Sequence, residues 1–304
     1  MTTQDKRTRD FNGYSGRYPQ FRWPGDAGLA LSFVLNVEEG AELSLSAGDE
    51  RNESRHEVNH EVVGAPDLCM ESQFEYGARV GYKRITRLLM GAGLSLTLNA
   101  CARALEATPW IAQDAVEQGF EVCCHGWRWE THAGMDEASE RALIERCVAS
   151  IVRLTGKPPV GWHTKSSASV NTRRLLVEQG DFLYDSDAYN DDLPYWTQVT
   201  GRPHLVVPYA FDTNDMRFFD NFAYVRASDF SDYAIDAFDT LLRESRDAPR
   251  MMSIGLHTRI IGRPGRISGL QTVVDHIRSH TGVWVATREQ IARHFIQAVP
   301  APTP

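Results

Sequence analysis

The chain has 304 residues, and its content of 42% hydrophobic and 24% charged residues is that of a globular protein with a large core. The net charge of −8 argues against a nucleic-acid or anionic-membrane partner, because both require basic patches. The longest apolar stretches run about ten residues, whereas a membrane-spanning helix needs about 20, so we expect no membrane partner.

The chain is polar up to its first predicted strand. Residues 1–27 form a predicted extension that lacks the apolar core of a signal peptide. Segment 29–37, LALSFVLNV, is predicted to be a buried strand because it is apolar and rich in strand-forming residues. Residues 40–65 are too polar for the core and are expected to cover or frame a site. Residues 73–92 have helical periodicity, and Gly93 ends the predicted helix.

Strands and helices then alternate along the chain, and Asp136 is predicted to cap the helix that follows it. Repeated strand–helix units predict a parallel β/α architecture, and about seven strands favour a barrel or incomplete barrel over an open sheet. No repeat or linker interrupts the pattern, so we expect one domain over 1–304 with a short tail at 298–304. The strands are predicted at 95–99, 120–124, 160–162, 182–186, 204–209, 251–257 and 283–286, and the helices at 103–118, 136–155, 171–179, 228–245, 266–280 and 287–297.

The five cysteines indicate the cellular compartment. Their number is odd and no Cys-x-x-Cys pair occurs, which favours free thiols over disulfides. Free thiols persist in a reducing compartment. Together with the polar N-terminus, this predicts a cytoplasmic protein.

Titratable side chains follow one predicted strand after another. In β/α barrels the active site forms at the carboxyl ends of the strands, so these residues are expected to meet in one site. Ordinary structural roles stay open for all of them: salt bridges for the glutamates, core hydrogen bonds for the histidines, turns for the aspartates, solvent exposure for the lysine and core packing for the tryptophans. The residues are Glu38 and Glu39 after the first strand, His125, Trp127, Arg128 and Trp129 after the third, His163 and Lys165 after the strand at 160–162, Asp185 and Asp187 after the next, and His257 after the strand at 251–257.

The order of these residues resembles the motif order of the polysaccharide deacetylase (NodB-like) family. Glu38-Glu39 stands at the family's acidic pair, His125 at its first metal histidine, and Leu256-His257 at its late catalytic histidine. The resemblance implies an α/β fold, a NodB-like distorted (β/α) barrel of about seven strands. It also implies hydrolysis of a non-peptide carbon–nitrogen bond.

Two positions depart from the family pattern. The second metal histidine would fall at position 129, where the chain has Trp129, and the family's Arg-x-Pro segment is replaced by Gly-Trp-His-Thr-Lys at 161–165. A catalytic zinc needs three protein ligands, and only Glu39 and His125 remain as clear candidates. We therefore expect no cofactor, while weak binding of a divalent cation such as zinc stays open.

A closer resemblance covers nearly the whole chain. The runs DSDAYNDDLPYW, DTNDMRF, HGWRW and SIGLHTRIIGRPGR resemble the metal-independent bacterial allantoinases of this fold. That resemblance implies ring opening of a ureide or cyclic amide in purine catabolism by a homo-oligomer, such as a tetramer. The chain has Gly-Trp-His-Thr-Lys-Ser-Ser where those enzymes carry a Gly-Trp-Tyr-Thr-Gly-Arg-like segment. Another amide, ureide or imide stays open as the substrate, because Lys165 cannot copy the bidentate contacts of an arginine.

The family positions imply roles for the site residues. Glu38 is expected to act as general base and His257 as general acid, while His125 and Glu39 orient water or substrate. Adjacent carboxylates near apolar walls can have one pKa raised towards neutrality, which suits the base. Without a metal, Lys165, Arg128 or backbone N–H groups would stabilise the oxyanion. The other expected substrate-binding residues are Trp129, His163, Asp215 and Arg217, and Arg259 and Arg263 are expected to contact substrate or a neighbouring subunit.

Two other functions stay open. The first is metal-dependent N-deacetylation of carbohydrate or peptidoglycan, which requires a full set of metal ligands. The second is an inactive protein that binds a ligand in a retained pocket. The joint presence of Glu38, Glu39, His125 and His257 argues against it. For the allantoinase-like function, the expected partner is a small-molecule amide or ureide.

Overall fold

The computed structural model describes residues 9–58, 60–220 and 223–302. Residues 1–8 of the predicted extension and 303–304 of the predicted tail lie outside the described residues. The strands of the described part are β1 (Leu29–Val37), β2 (Leu96–Ala100), β3 (Glu121–Cys124), β4 (Gly161–Trp162), β5 (Tyr184–Asp185), β6 (Tyr195–Val199), β7 (Arg202–Val206), β8 (Arg250–His257) and β9 (Val283–Val285). Its α-helices are α1 (Leu68–Tyr76), α2 (Tyr82–Gly91), α3 (Ala102–Ala107), α4 (Pro109–Gln118), α5 (Glu137–Thr155), α6 (Thr172–Gln179), α7 (Ala227–Glu244), α8 (Ile267–Arg278) and α9 (Arg288–Ala298).

The sheet is organised around β1, whose residues are all buried: one face is wholly apolar, and the other combines apolar residues with Ser32 and Asn36. The strand order is β6-β7-β5-β4-β3-β2-β1-β8, and β9 pairs with the first residues of β1. All pairs are parallel except β6 with β7. The sheet curls into a half-barrel, so the predicted α/β NodB-like distorted barrel is confirmed.

Strand β6 was not predicted, and the strand count of the described chain is therefore higher than expected. Most of its residues are only partly buried, so no run of buried apolar residues indicated it. It pairs with β7 through a turn at Thr200 and Gly201, which both have positive φ, 50° and 77°. Two-residue turns of this backbone shape match the twist of a hairpin. The hairpin extends the sheet at its edge.

The first predicted helix is in fact two helices, α1 and α2, joined by a π-helical segment at Gly77–Gly81. A β-carbon added at Gly77 would collide with Oε1 of Glu39, and one at Gly81 would collide with the carbonyl oxygen of Thr258. The glycines therefore let the helical backbone lie directly against the chain segments that follow β1 and β8.

The helix predicted at 103–118 is also two helices. Thr108 leaves the helical conformation, with φ −130° and ψ 62°, and Pro109 begins α4. The predicted cap of α5 is confirmed, because Oδ1 of Asp136 accepts a hydrogen bond of 3.0 Å from the backbone N of Ser139.

The described part of the polar segment 40–65 lies over the strand ends, as expected, and some of its polar side chains are buried. The side chain of Asn52 is buried and donates to the carbonyl oxygens of Val62 and Ala65, each at 2.8 Å. Hydrogen bonding of this kind compensates for the desolvation of a buried amide. The segment is therefore a packed cover, although its polarity predicted a position outside the core.

In the described ranges, no helix is long and apolar enough to cross a lipid bilayer. The five cysteines have free thiols, as predicted, and all except Cys69 are buried.

Candidate active site

The carboxyl ends of β1, β3 and β8 bring together three residues that the sequence placed at strand ends. Glu38 follows β1, His125 follows β3, and His257 is the last residue of β8. Oε1 of Glu38 lies 3.4 Å from Nε2 of His125 and 3.4 Å from Nε2 of His257. All three side chains are buried, and Glu38 is completely so. A buried carboxylate oxygen between two imidazole nitrogens is thus the centre of the site.

The two carboxylate oxygens of Glu38 differ in their contacts. Oε2 accepts a hydrogen bond of 2.7 Å from Nη1 of Arg259. Oε1 has no hydrogen-bond partner among the described residues. Because buried polar atoms are normally hydrogen-bonded, Oε1 is the oxygen that a donor from water or substrate would satisfy.

The neighbouring carboxyl groups of Glu38 and Glu39 have opposite pKa shifts. Burial alone would raise the pKa of Glu38, but the positive charges of His257 and Arg259 and the close polar contacts of the two imidazoles hold it well below its usual range. Burial raises the pKa of Glu39, and the guanidinium of Arg259 and the hydroxyl of Thr258 offset only part of that rise. The raised pKa therefore belongs to Glu39, and its expected assignment to the base Glu38 is wrong, because Glu38 is surrounded by cations.

His257 is held by Asp215, which was expected to bind substrate. Oδ1 of Asp215 lies 2.6 Å from Nδ1 of His257, and its Oδ2 accepts a hydrogen bond of 2.7 Å from the backbone N of the same histidine. Burial alone would lower the pKa of His257, but the charges of Glu38 and Asp215 raise it to about 9. Asp215 is fully buried against this ring, so its contacts are those of a positioning residue for His257, while its predicted contact with substrate stays a prediction.

His125 is oriented by the strand that follows it in the sheet. Its Nδ1 lies 2.5 Å from the carbonyl oxygen of His163, so Nδ1 carries the proton and Nε2 faces Glu38. The ring of His163 stacks on that of His125 with centroids 5.1 Å apart, and its Nδ1 lies 2.9 Å from Nδ2 of Asn99. Burial, followed by the charges of His125 and Arg288, keeps the pKa of His163 well below its usual range. His163 is therefore a neutral support for His125.

The two predicted oxyanion donors, Lys165 and Arg128, are both paired with carboxylates of the covering segment. Nζ of Lys165 lies 3.3 Å from Oε2 of Glu53, and it sits 3.6 Å above the ring centroid of Trp129. The guanidinium of Arg128 forms a two-point ion pair with Asp49. These ion pairs link the covering segment to the strand ends. The substrate-binding roles of Lys165, Arg128 and Trp129 stay predictions.

The structure places Arg217 against two tyrosine rings, and its predicted contact with substrate stays a prediction. It lies in the 3₁₀ helix Asp215–Phe219, and its guanidinium packs on the rings of Tyr224 and Tyr233, at 5.0 Å and 4.9 Å from their centroids. This packing suits an arginine that holds a loop in place.

The aspartates after β5 have structural partners. Asp185 accepts two hydrogen bonds from Arg173, at 2.6 Å and 2.8 Å, and lies 2.9 Å from Nε2 of His204. Asp187 accepts from the backbone N of Thr164 at 2.6 Å. These contacts fit an ordinary structural role for both aspartates, which was the alternative to a role in the active site.

Arg259 is the site residue whose role the sequence did not predict. It was expected to contact substrate or another subunit, which stays a prediction, and its contact with the acidic pair was not foreseen: its Nη1 lies 2.7 Å from Oε2 of Glu38 and 3.7 Å from Oε1 of Glu39. The available signal was its place two residues after the end of β8, where it belongs with the other strand-end residues.

A cavity of about 550 Å³ lies beside Glu39, between the start of the covering segment and the helices α1, α3 and α4. Glu42, Arg103 and Trp110 also line it. Burial raises the pKa of Glu42 to about 7. The cavity is large enough for a small cyclic molecule and borders Glu39, the second residue of the acidic pair.

The residues at the strand ends do not fit the catalytic zinc that the family resemblance implies. Trp129 stands in place of the second histidine ligand, and the carboxylate of Glu39 accepts hydrogen bonds from the hydroxyl of Thr258 and the backbone N of Glu38. A catalytic zinc has three protein ligands, and this position offers too few. Among the described residues, the group of three side chains spaced to hold a metal ion lies elsewhere, at Asp239, His276 and His280.

The fold and the strand-end site together define the class of protein: the chain belongs to the polysaccharide deacetylase family. The family model "Polysaccharide deacetylase" matches residues 65–180. A protein of Schizosaccharomyces pombe assigned to the polysaccharide deacetylases is 38% identical over 309 aligned residues, which cover 94% of this chain and 96% of that protein.

Two solved structures are similar over nearly the whole chain. The first, from Pseudomonas aeruginosa PAO1 and also assigned to the polysaccharide deacetylases, is 44% identical with a TM-score of 0.92, and the match covers 96% of this chain and 99% of that one. The second is the PuuE allantoinase, which is 44% identical with a TM-score of 0.92, and the match covers 96% of this chain and 98% of that one.

Proposed function

We propose that the chain hydrolyses a carbon–nitrogen bond in a small cyclic ureide, as an allantoinase does. The observation that carries the proposal is the unpartnered Oε1 of Glu38, buried between Nε2 of His125 and Nε2 of His257. The similarity to the PuuE allantoinase supports the choice of a cyclic ureide.

The proposed reaction uses Glu38 as proton acceptor and His257 as proton donor. Oε1 of Glu38 takes a proton from water as the water oxygen bonds to the ring carbonyl carbon. His257, protonated at Nε2, gives its proton to the leaving nitrogen as the carbon–nitrogen bond breaks. Nε2 of His125 lies 3.4 Å from the same oxygen of Glu38 and would help to orient a water that contacts both atoms from one side.

The relative pKa values of Glu38 and His257 favour the return of both groups to their starting protonation states after each turnover. The reaction leaves Glu38 protonated and His257 neutral. The low pKa of Glu38 and the pKa of about 9 for His257 favour return of the proton to the imidazole. The separation of 3.4 Å between Oε1 and Nε2 is short enough for this transfer to pass directly or through one water.

Substrate choice is proposed to depend on the segment that carries Lys165. Its ammonium lies beside Trp129 and Glu53, where the covering segment meets the strand ends. We propose that a small cyclic substrate enters the site through the cavity beside Glu39.

The first test is hydrolysis of allantoin by chelator-treated protein, with hydantoin and succinimide measured in parallel. We expect turnover of allantoin that survives chelation. Turnover of hydantoin or succinimide alone would mean that the Lys165 segment selects another cyclic amide. No turnover of any of the three, even after zinc is restored, would contradict the proposal.

A second candidate function, N-deacetylation of a carbohydrate, is favoured by membership of the polysaccharide deacetylase family. The same assay distinguishes it. Zinc-dependent release of acetate from N-acetylglucosamine oligomers, without turnover of the cyclic amides, would establish that function instead.

A further inference from the structure

The guanidinium of Arg259 is a buried cation placed against both members of the acidic pair. It lies 2.7 Å from Oε2 of Glu38 and 3.7 Å from Oε1 of Glu39, and only 3% of the residue is exposed. At these separations in a water-poor environment, the charge of the guanidinium acts strongly on both carboxylates. It is one of the two cations that keep Glu38 ionised despite its burial.

Aromatic rings hold the guanidinium in this position. Its Cζ lies 4.2 Å from the ring centroid of Phe74 and 4.8 Å from that of Trp129. The tryptophan occupies the position at which the family pattern places a metal-binding histidine. A ring face attracts an organic cation, whereas it offers no lone pair to a metal ion. Tryptophan at position 129 therefore suits the guanidinium of Arg259 as the cation of the site, as a histidine there would suit a metal ion.

Two N–H groups of Arg259 remain available for a ligand. Nε and Nη2 are buried, and neither has a hydrogen-bond acceptor among the described residues. Buried donors of this kind are costly unless an acceptor reaches them. A carbonyl oxygen of the substrate would satisfy one, and the negative charge that develops on this oxygen during attack would strengthen the contact.

We propose that Arg259 is the fixed cation of the active site and takes over the electrostatic role of a metal ion. It stabilises the ionised Glu38 and receives the oxyanion of the substrate. This proposal rests on the proposed hydrolysis for its kinetic test, and it has a second test that needs no activity.

The kinetic test is chemical rescue of Arg259→Ala. We expect kcat to fall about 10²-fold or more, as on loss of an oxyanion donor. Guanidinium at millimolar concentration should restore at least part of the lost rate, whereas urea, which has a similar shape without the charge, should not. The control Arg293→Ala removes an exposed arginine of α9 and should neither lose activity nor respond to guanidinium. Restoration by urea and guanidinium alike, or an undiminished kcat in Arg259→Ala, would overturn the proposal.

The second test is the zinc content of the purified protein after exposure to zinc and gel filtration. If Arg259 occupies the cation position, zinc retained by the wild-type protein should be unaffected by His125→Ala and by Glu39→Ala. One equivalent of zinc that disappears in both variants would overturn the proposal, whether or not the protein hydrolyses a ureide. Failure of the proposed function alone would appear as an inactive wild-type protein with no zinc at this position.

A group of three potential metal-binding side chains lies on the surface between α7 and α8. His276 lies in the last turn of α8, His280 lies two residues beyond the end of this helix, and Asp239 faces them from α7. Nε2 of His276 lies 2.7 Å from Oδ1 of Asp239, and one ligand atom from each of the three residues lies within 4.8 Å of the others.

The hydrogen bond and the aromatic packing around these histidines also suit a metal ion. Nδ1 of His280 donates to the carbonyl oxygen of His276 at 2.8 Å, which leaves Nε2 of His280 as a free lone pair. Metal-binding histidines usually donate their other ring N–H in this way. The ring of Phe238 packs edge-on against both imidazoles, with centroid distances of 5.6 Å and 5.4 Å, and limits their movement.

The geometry points to a divalent transition-metal site at Asp239, His276 and His280, remote from the catalytic chemistry. Imidazole and carboxylate ligands suit zinc, and with three protein ligands one of its four tetrahedral positions remains open for water or a second molecule. The test is calorimetric titration of the full-length, metal-free protein with Zn²⁺, and the shift in Tm is a second readout. We expect one equivalent to bind, to raise Tm, and to be lost in His276→Ala and in His280→Ala.

The matched control for this site is His294→Ala, which removes a partly buried histidine of α9 that donates to the carbonyl oxygen of Arg22. It should bind zinc like the wild-type protein. Equal zinc binding by the wild-type protein and His276→Ala would overturn the proposed surface site.

Discussion

Replacing Glu38 by glutamine is expected to lower kcat about 10³-fold, within the range usual for loss of a general base. Glutamine keeps the shape of the side chain and can still accept a hydrogen bond from Arg259, but its amide cannot take a proton from water. The measurement is kcat for the best of the cyclic amide substrates, together with urea unfolding of both proteins.

The fold should survive this substitution at a measurable cost in stability. Glu38 is an anion buried against His257 and Arg259, and removing one member of a buried ion pair typically costs about 3 kcal/mol. Asp215 and Glu39 remain beside the two cations, so we expect a lower unfolding midpoint and not an unfolded protein. Glu117→Gln, on the exposed face of α4, is the control and should change neither quantity. A Glu38→Gln protein with wild-type kcat would show that another group is the base.

The second large effect concerns the pH dependence of the reaction after Asp215→Asn. His257 must be protonated to donate, so kcat should fall as the pH rises through its pKa of about 9. Asp215 contributes one of the two negative charges that raise this pKa. Without that charge the pKa falls, and the alkaline limb of the pH–kcat profile should move to lower pH by about one unit or more.

At low pH the Asp215→Asn protein should regain part of its activity, because His257 is again protonated there. A merely structural defect would lower kcat equally at every pH, so the shape of the profile distinguishes the two effects. Asp275→Asn, on the exposed face of α8, is the matched control and should keep the wild-type profile. An unshifted alkaline limb in Asp215→Asn would show that His257 is not the general acid.

The parts of the site that the sequence predicted share one physical cause. Glu38, His125 and His257 stand at the ends of buried, apolar strands, and such strands can be located from composition alone. Because parallel strands end at the same edge of a sheet, locating the strands was enough to group these side chains. The roles of Asp215 and Arg259 could not be predicted in this way, because they depend on which side chain each residue meets across the fold.

The missed elements have a different cause. β6 is a partly exposed hairpin strand, and the break in the first predicted helix is a π-helical segment whose sequence keeps helical periodicity on both sides. The pKa values within the acidic pair also escaped prediction. Adjacency along the chain gives Glu38 and Glu39 the same neighbours in sequence, whereas in space only Glu38 is enclosed by two histidines and an arginine.

The two glycines of the π-helical segment limit how this protein can change over evolutionary time. Gly77 and Gly81 contribute no functional group, yet any larger residue there would displace the Glu39 carboxylate or the backbone at Thr258. Replacement at either position would therefore be selected against as strongly as replacement of a residue that touches substrate. A lineage that altered its substrate would have to retain both glycines unless it also rebuilt the acidic pair.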